Sequence, residues 1–238
     1  MKRLLLMSSS RKGDGGYLEH ADAQFRALLR EEVRRALFIP YAAVTYSFDE
    51  YEGMVAEAFA RQGVKAVSIH RFPDALRAVE QAEAIVVGGG NTFVLLQRLY
   101  ASGLVEAVRE RVEAGTPYIG WSAGTNVACP TIRTTNDMPV AQPPSLDAFR
   151  LVPFQINPHF ISGKPEGHNG ESREERLAEF LVVNPGENVL ALREGSALLV
   201  EGAAARLLGD RAALIFRQGG AVESIGVDES FPVERING

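Results

Sequence analysis

The sequence has little of what several large classes of protein depend on. Its 238 residues include a single cysteine, Cys129, so no disulfide can form within the chain. No apolar run approaches the roughly 20 residues that cross a membrane, and the one at residues 4–7 is too short for the about 7–15 residues of a secretory signal. The net charge is −5, with both signs scattered. We therefore expect a cytoplasmic protein with no membrane or nucleic-acid partner.

Histidine is also scarce, which limits metal binding and acid–base chemistry. The chain has four histidines, and none are spaced as paired ligands such as H-x-x-x-H. We therefore expect no metal and no cofactor. The histidines are His20, His70, His159 and His168.

Short β-rich runs alternate with helical patterns through the first half of the chain. The predicted strands are residues 4–7, 36–41, 64–69, 84–87 and 116–120, and the predicted helices are 48–62, 74–81, one opening at 91 or 92, and 104–114. This alternation predicts an α/β fold with a mostly parallel central sheet and helices on both faces. Residues 129–175 favour loops, and further strands are predicted at 189–192, 197–200 and 213–216. No linker interrupts residues 1–238, so we expect one domain.

Residues 120–124, Gly-Trp-Ser-Ala-Gly, fit the nucleophile-elbow pattern G-x-S-x-G. Such a turn between strand and helix lifts the serine hydroxyl clear of the sheet. The amide of Ala123 then points to where an oxyanion would develop. The pattern predicts Ser122 as a nucleophile, and the alternative is a glycine-rich turn around a buried serine.

A serine hydroxyl needs a base to take its proton. His159 follows an apolar stretch that Pro158 ends, which presents the imidazole rigidly, so it is the first candidate. His168 lies in a more loop-like segment and is the second. His20 and His70 are typical of surface histidines.

A carboxylate must orient the imidazole and stabilise its protonated form. Glu194 follows a predicted strand and precedes a glycine, which suits that role. The sequence leaves Glu187 and Glu201 open as alternatives.

A triple glycine at residues 88–90 follows a predicted buried strand. The amide of Gly89 or Gly90 could form the second half of an oxyanion hole opposite Ala123. The competing interpretation is a phosphate-binding loop. It is disfavoured because neither G-x-G-x-x-G nor the lysine-bearing Walker pattern is present.

Together, six blocks of the sequence resemble the peptidase E family, also called α-aspartyl dipeptidases. The blocks are VGGGNTF (87–93), GWSAGTN (120–126), TTNDMP (134–139), QINPHF (155–160), GESREER (170–176) and LREGS (192–196). The resemblance implies a fold like that of class I glutamine amidotransferases (flavodoxin-like), with serine in place of their cysteine. It also implies a triad of Ser122, His159 and Glu194, with oxyanion donors at the Gly90 and Ala123 amides.

The resemblance further implies metal-independent hydrolysis of dipeptides that begin with aspartate. Arg173 is the candidate to meet the aspartate side chain, since a guanidinium can hold a carboxylate by two hydrogen bonds. The alternative is a solvated arginine on a charged helix. Asn136 is a second candidate for substrate binding.

Two other functions stay open at this point. One is a cyanophycinase-like hydrolase that prefers β-linked aspartyl amides, and the other is a non-catalytic ligand-binding domain of the same fold. The sequence does not give the oligomeric state, and a homodimer is compatible with it.

Overall fold

Two β-sheets organise the chain in the computed structural model, which describes residues 1–30, 32–167 and 169–237. Within those residues the strands are β1 (Arg3–Met7), β2 (Arg35–Ile39), β3 (Lys65–Ser68), β4 (Ile85–Val87), β5 (Tyr118–Trp121), β6 (Gln155–Asn157), β7 (Asn188–Ala191), β8 (Ala197–Glu201), β9 (Ala204–Leu208), β10 (Ala213–Arg217), β11 (Glu223–Ile225) and β12 (Ser230–Pro232). The α-helices are α1 (Asp22–Leu29), α2 (Phe48–Ala60), α3 (Ala75–Glu80), α4 (Thr92–Ala101), α5 (Leu104–Glu113), α6 (Ala123–Asn126), α7 (Arg173–Val183) and α8 (Glu234–Asn237). None of these helices combines the length and apolarity needed to cross a bilayer.

The larger sheet has eight strands in the order β12-β9-β8-β1-β5-β4-β2-β3. The segment β1-β5-β4-β2-β3 is parallel, and β8, β9 and β12 extend it in antiparallel fashion beyond β1. The connection after β2 runs to β3 and the connection after β4 runs to β5, in opposite directions across the sheet. In open α/β sheets, ligands bind beyond the carboxyl ends of the strands at such a point. The predicted α/β class, with a mostly parallel sheet at its centre, is confirmed.

The parallel strands are buried on both faces, which explains their continuous apolar runs. In β1, Leu4 and Leu6 pack into one hydrophobic cluster, whereas Leu5 and Met7 pack into another on the opposite side of the sheet. Side chains of α1 and α2 belong to the second cluster, and those of α3, α4 and α5 belong to the first. Helices therefore cover both faces, as the alternation of patterns predicts.

The helix starts that matter for the site are set by capping side chains. Asn91 caps α4, accepting a hydrogen bond of 3.1 Å from the amide of Val94. Ser172 caps α7 through a capping box with Glu175. Helix α4 therefore begins directly after the triple glycine, and α7 begins at Arg173.

The smaller sheet has the order β11-β10-β7-β6, in which β6 and β7 are parallel. Of the strands predicted in the last third of the chain, those near residues 190 and 215 belong to this sheet, whereas the one near 198 becomes β8 of the larger sheet. The chain thus changes sheets in the short turn between β7 and β8. One hydrophobic cluster joins Ile156 and Leu190 of the smaller sheet to Leu4 of the larger. The single domain expected for residues 1–238 stays a prediction.

Candidate active site

Ser122 lies in the sharp turn between β5 and α6, with φ 53° and ψ −113°. Its amide donates to the carbonyl of Met7 at 3.1 Å, which ties the turn to the end of β1. Only glycine fits two residues later, because a Cβ on Gly124 would lie 2.1 Å from the carbonyl oxygen of Val87. The strained backbone is the expected geometry of a nucleophile elbow.

The structure brings Ser122, His159 and Glu194 into one chain of hydrogen bonds. His159 Nε2 lies 2.9 Å from Ser122 Oγ, and His159 Nδ1 lies 3.0 Å from Glu194 Oε1. A carboxylate can only accept, so Nδ1 carries the proton and Nε2 accepts from the serine hydroxyl. Ser122 follows a strand of the larger sheet, whereas His159 and Glu194 follow β6 and β7 of the smaller one.

The other carboxylates that the sequence leaves open have different partners. Glu187 accepts from Gln155 at 3.2 Å and pairs with Arg133 at 3.2 Å. Glu201 lies beside Arg30, 3.7 Å away. Neither makes a hydrogen bond to His159, so Glu194 is the carboxylate that the fold places beside the imidazole.

The other histidines do not supply a second base in the described part of the chain. His70 bonds to Ser68 and Asp49, and His20 lines a separate cavity next to Lys12. His168, the second candidate for the base, lies outside the described residues.

Ser8, at the end of β1, holds the segments that carry the imidazole and the carboxylate. Its Oγ accepts from the amide of His159 at 2.8 Å and donates to the carbonyl of Leu192 at 3.0 Å. His159 has φ 54°, an uncommon conformation for a residue with a side chain. Ser8 is fully buried, so water cannot replace these hydrogen bonds.

The triple-glycine loop lies directly against Ser122. A Cβ on Gly89 would lie 3.0 Å from the Cβ of Ser122. Gly90 has φ 135°, and a Cβ there would lie 2.3 Å from the carbonyl oxygen of Ala42. Within the described residues, the amides of Gly89, Gly90 and Ala123 donate to no protein acceptor. All three are therefore free to bind an oxygen of a substrate, and Gly90 is the loop donor that the family resemblance implies.

Arg173 and Asn136 lie together on the smaller-sheet side of the site. The guanidinium of Arg173 donates to the amide oxygen of Asn136, whose Nδ2 donates to the carbonyl of Pro158 at 2.7 Å. A cavity of about 200 Å³ is lined in part by Asn136, Asn157 and Arg173. Partial burial, with repulsion from Arg176, holds the pKa of Arg173 below its usual value. No carboxylate among the described residues pairs with Arg173, so its positive charge is not neutralised there.

Two further groups that could carry chemistry have structural roles. Burial raises the pKa of the Cys129 thiol to about 12, so it stays protonated and unreactive at neutral pH. Asp49, Glu52 and His70 form a cluster whose carboxylates already pair with Arg71. A guanidinium cannot ligate a metal, so this cluster is an ion-pair network. The expectation of no metal stays a prediction.

Ser8 is the residue at the site that sequence reasoning missed. A signal for it was present, because the three serines at 8–10 follow the first strand and strand ends of this kind form ligand sites. Which of the three faces the site depends on how the smaller sheet packs. That packing is not visible in the local pattern.

Comparison with known proteins relates the chain to peptidases at the level of family, sequence and fold. The model of peptidase family S51 matches residues 4–208. The chain is 50% identical to Peptidase E of Pasteurella multocida over 97% of this chain and 99% of that protein, and 50% identical to Peptidase E of Haemophilus influenzae over 91% and 100%. The crystal structure of a peptidase from an acI-B1 Actinobacterium is similar in fold, with a TM-score of 0.72 at 20% identity, over 98% of this chain and 97% of that one.

Replacement of Ser8 tests whether it holds the site together. We expect Ser8→Ala to lower the free energy of unfolding by about 1–3 kcal/mol, because a buried amide of His159 loses its acceptor. The catalytic rate constant kcat should fall as well, since the imidazole is no longer fixed. Denaturant unfolding and peptide hydrolysis measure the two effects. The control is Ser102→Ala at the end of α4. It removes a hydroxyl that donates to the backbone carbonyl of Arg98 at 2.7 Å. Equal behaviour of the two variants would contradict this role.

Glu194, the carboxylate beside His159, is largely exposed, with 63% of its side chain accessible. Solvent screens such a pair strongly. We expect Glu194→Gln to lower kcat by roughly 10- to 100-fold, less than the about 10⁴-fold typical of a buried triad carboxylate. Steady-state kinetics measures kcat for Glu194→Gln and for Glu201→Gln, which changes an exposed glutamate as the control. An unchanged kcat would show that Glu194 does not assist His159.

Proposed function

The chain belongs to peptidase family S51, and we propose that it hydrolyses dipeptides with an N-terminal aspartate through an acyl-enzyme on Ser122. The observation that carries this proposal is the chain of hydrogen bonds from Ser122 through His159 to Glu194. A serine held at an elbow within hydrogen-bond reach of an imidazole is the arrangement that acyl transfer requires. A domain that only bound ligands would have no need of it.

In the proposed mechanism, Ser122 Oγ attacks the peptide carbonyl while His159 Nε2 takes its proton. Glu194 accepts from Nδ1 and stabilises the imidazolium that forms. The amides of Gly90 and Ala123 donate to the oxyanion, and each such donor typically contributes about 3–4 kcal/mol. The imidazolium then protonates the leaving amine, and water activated by His159 releases the aspartate.

Selection of aspartate is assigned to Arg173. Its guanidinium is half-buried, uncompensated by a carboxylate, and held by Asn136 next to the segment that carries His159. A substrate carboxylate that reached it would form a charge-assisted hydrogen bond in a partly desolvated place. Asn136 keeps Arg173 in position and lines the same cavity.

The remaining expectations concern where and with what the enzyme works. We propose that it acts in the cytoplasm on small peptides, without a metal or other cofactor. The oligomeric state stays open, a homodimer included.

The first test is a panel of peptides. We expect the purified protein to release leucine from Asp-Leu much faster than from Glu-Leu, Asn-Leu or Ala-Leu. Ser122→Ala should lower kcat by at least roughly 10⁴-fold while it leaves the fold intact, since the nucleophile is lost. Release of amino acid by a ninhydrin or coupled assay measures both.

The same panel separates the alternatives. Preference for β-linked over α-linked Asp-Leu would indicate a cyanophycinase-like enzyme instead. Turnover that survives in pure Ser122→Ala protein would show that another group is the nucleophile.

Arg173→Gln tests the assignment of specificity. Loss of a hydrogen bond between charged groups costs about 1.5–3 kcal/mol, so kcat/KM for Asp-Leu should fall roughly 10- to 150-fold. The rate with Asn-Leu should change far less, so the preference for Asp-Leu over Asn-Leu should shrink. Arg77→Gln, an exposed arginine on α3 outside this cavity, is the control. A preserved Asp-to-Asn preference in Arg173→Gln would refute the role.

A further inference from the structure

The carbonyl of Gly89 accepts a hydrogen bond from a tyrosine of helix α2. The hydroxyl of Tyr51 donates to this oxygen at 2.9 Å in the buried interior. The carbonyl of Gly89 and the N–H of Gly90 belong to the same trans peptide group, which is planar. They point in opposite directions, so a bond that holds the Gly89 oxygen toward Tyr51 directs the Gly90 N–H away from Tyr51.

The peptide between Gly89 and Gly90 has few other restraints. The ends of the loop are fixed, because the Gly88 amide donates to Ile39 at 3.2 Å and the Asn91 amide donates to Ala42 at 3.0 Å. Within the described residues, the bond from Tyr51 is the only hydrogen bond made by the peptide group that joins Gly89 to Gly90. Glycine on both sides removes the steric barrier that would otherwise keep this group from rotating.

Tyr51 itself is firmly placed. Its side chain is only 1% exposed, and its ring lies edge-on to Phe38 and to Tyr46, with centroids 4.9 and 5.0 Å away. The hydroxyl of Tyr17 lies 3.3 Å from that of Tyr51 and donates to it, which leaves the single proton of Tyr51 for Gly89. Burial raises the pKa of Tyr51 well above its usual value, so the hydroxyl stays a donor throughout the working pH range.

We propose that Tyr51 is a positioning residue for catalysis: it orients the Gly89–Gly90 peptide so that the Gly90 amide faces the oxyanion. This role rests on the proposed function, in which Ser122 attacks and Gly90 donates. Tyr51 does not touch the substrate. It determines the direction of a donor that does, and this donor is useful only in the transition state.

The test compares Tyr51→Phe with Tyr100→Phe. Each removes one phenolic oxygen, but the Tyr100 hydroxyl donates to the carbonyl of Asp147 at 3.0 Å and contacts neither Tyr51 nor the glycine loop in the described structure. For Asp-Leu we expect Tyr51→Phe to lower kcat at least about tenfold with KM within threefold, because loss of an oxyanion donor costs about 10²–10³ in kcat and a misdirected donor part of that. Tyr100→Phe should stay within twofold. Assays are run well below each variant's melting temperature.

A second readout needs no peptide. The rate at which a fluorophosphonate labels Ser122 depends on the nucleophile and on the oxyanion donors, and not on aspartate recognition. We expect Tyr51→Phe to slow labelling in parallel with kcat. Unchanged kcat and labelling in folded Tyr51→Phe would overturn the proposal, as would equal losses in Tyr100→Phe.

The same measurement separates this proposal from the proposed function. If the wild-type protein were labelled at Ser122 yet did not cleave Asp-Leu, the specificity would be wrong. The labelling rates of the two variants would then still decide the role of Tyr51. A folded wild-type protein that neither cleaved peptides nor became labelled would overturn both.

Discussion

The buried hydroxyl of Ser8 is the contact on which the arrangement of the site depends. It binds the backbone of His159 on one side and that of Leu192 on the other, so the end of β1 in the larger sheet fixes two segments of the smaller sheet. The neighbours of His159 are held by other hydrogen bonds, from Phe160 to Leu192 at 2.9 Å and from Asn136 to Pro158 at 2.7 Å. Ser8 adds a direct link from the backbone of His159 to the end of β1, where Met7 accepts from the amide of Ser122, and so fixes the imidazole relative to the serine.

The groups to which the proposal gives catalytic roles are divided between the two sheets. The larger sheet carries Ser122 and both proposed oxyanion donors, all on turns in which glycine allows close approach of the backbone. His159 and Glu194, the proposed base and acid, follow strands of the smaller sheet, and helix α7 carries the cation proposed to select the substrate. In this proposal, acyl chemistry and substrate choice rest on different parts of one serine dipeptidase. Loops on the smaller-sheet side could change specificity without disturbing Ser122.

Much of this could be read from the sequence, for identifiable reasons. Ser122 lies in a local pattern whose geometry follows from five consecutive residues, and the alternation of strands and helices determines the parallel sheet. The sequence does not decide which of three carboxylates meets His159, because only the packing of β7 places Glu194 beside the imidazole. The assignment of the late strands to two sheets was not visible, since each reads as a similar apolar run. Tyr51 and Ser8 act over 38 and 151 residues of chain, and no local pattern encodes such contacts.

The division between sheets also bears on how the chain matures. While only the parallel part of the larger sheet, β1 to β5, has formed, Ser122 has its elbow but no histidine beside it, and a serine hydroxyl without a base is a poor nucleophile. His159 and Glu194 reach it only when β6 and β7, which follow in the sequence, dock onto the end of β1. A chain folded only that far therefore cannot perform the acyl chemistry proposed for the complete protein.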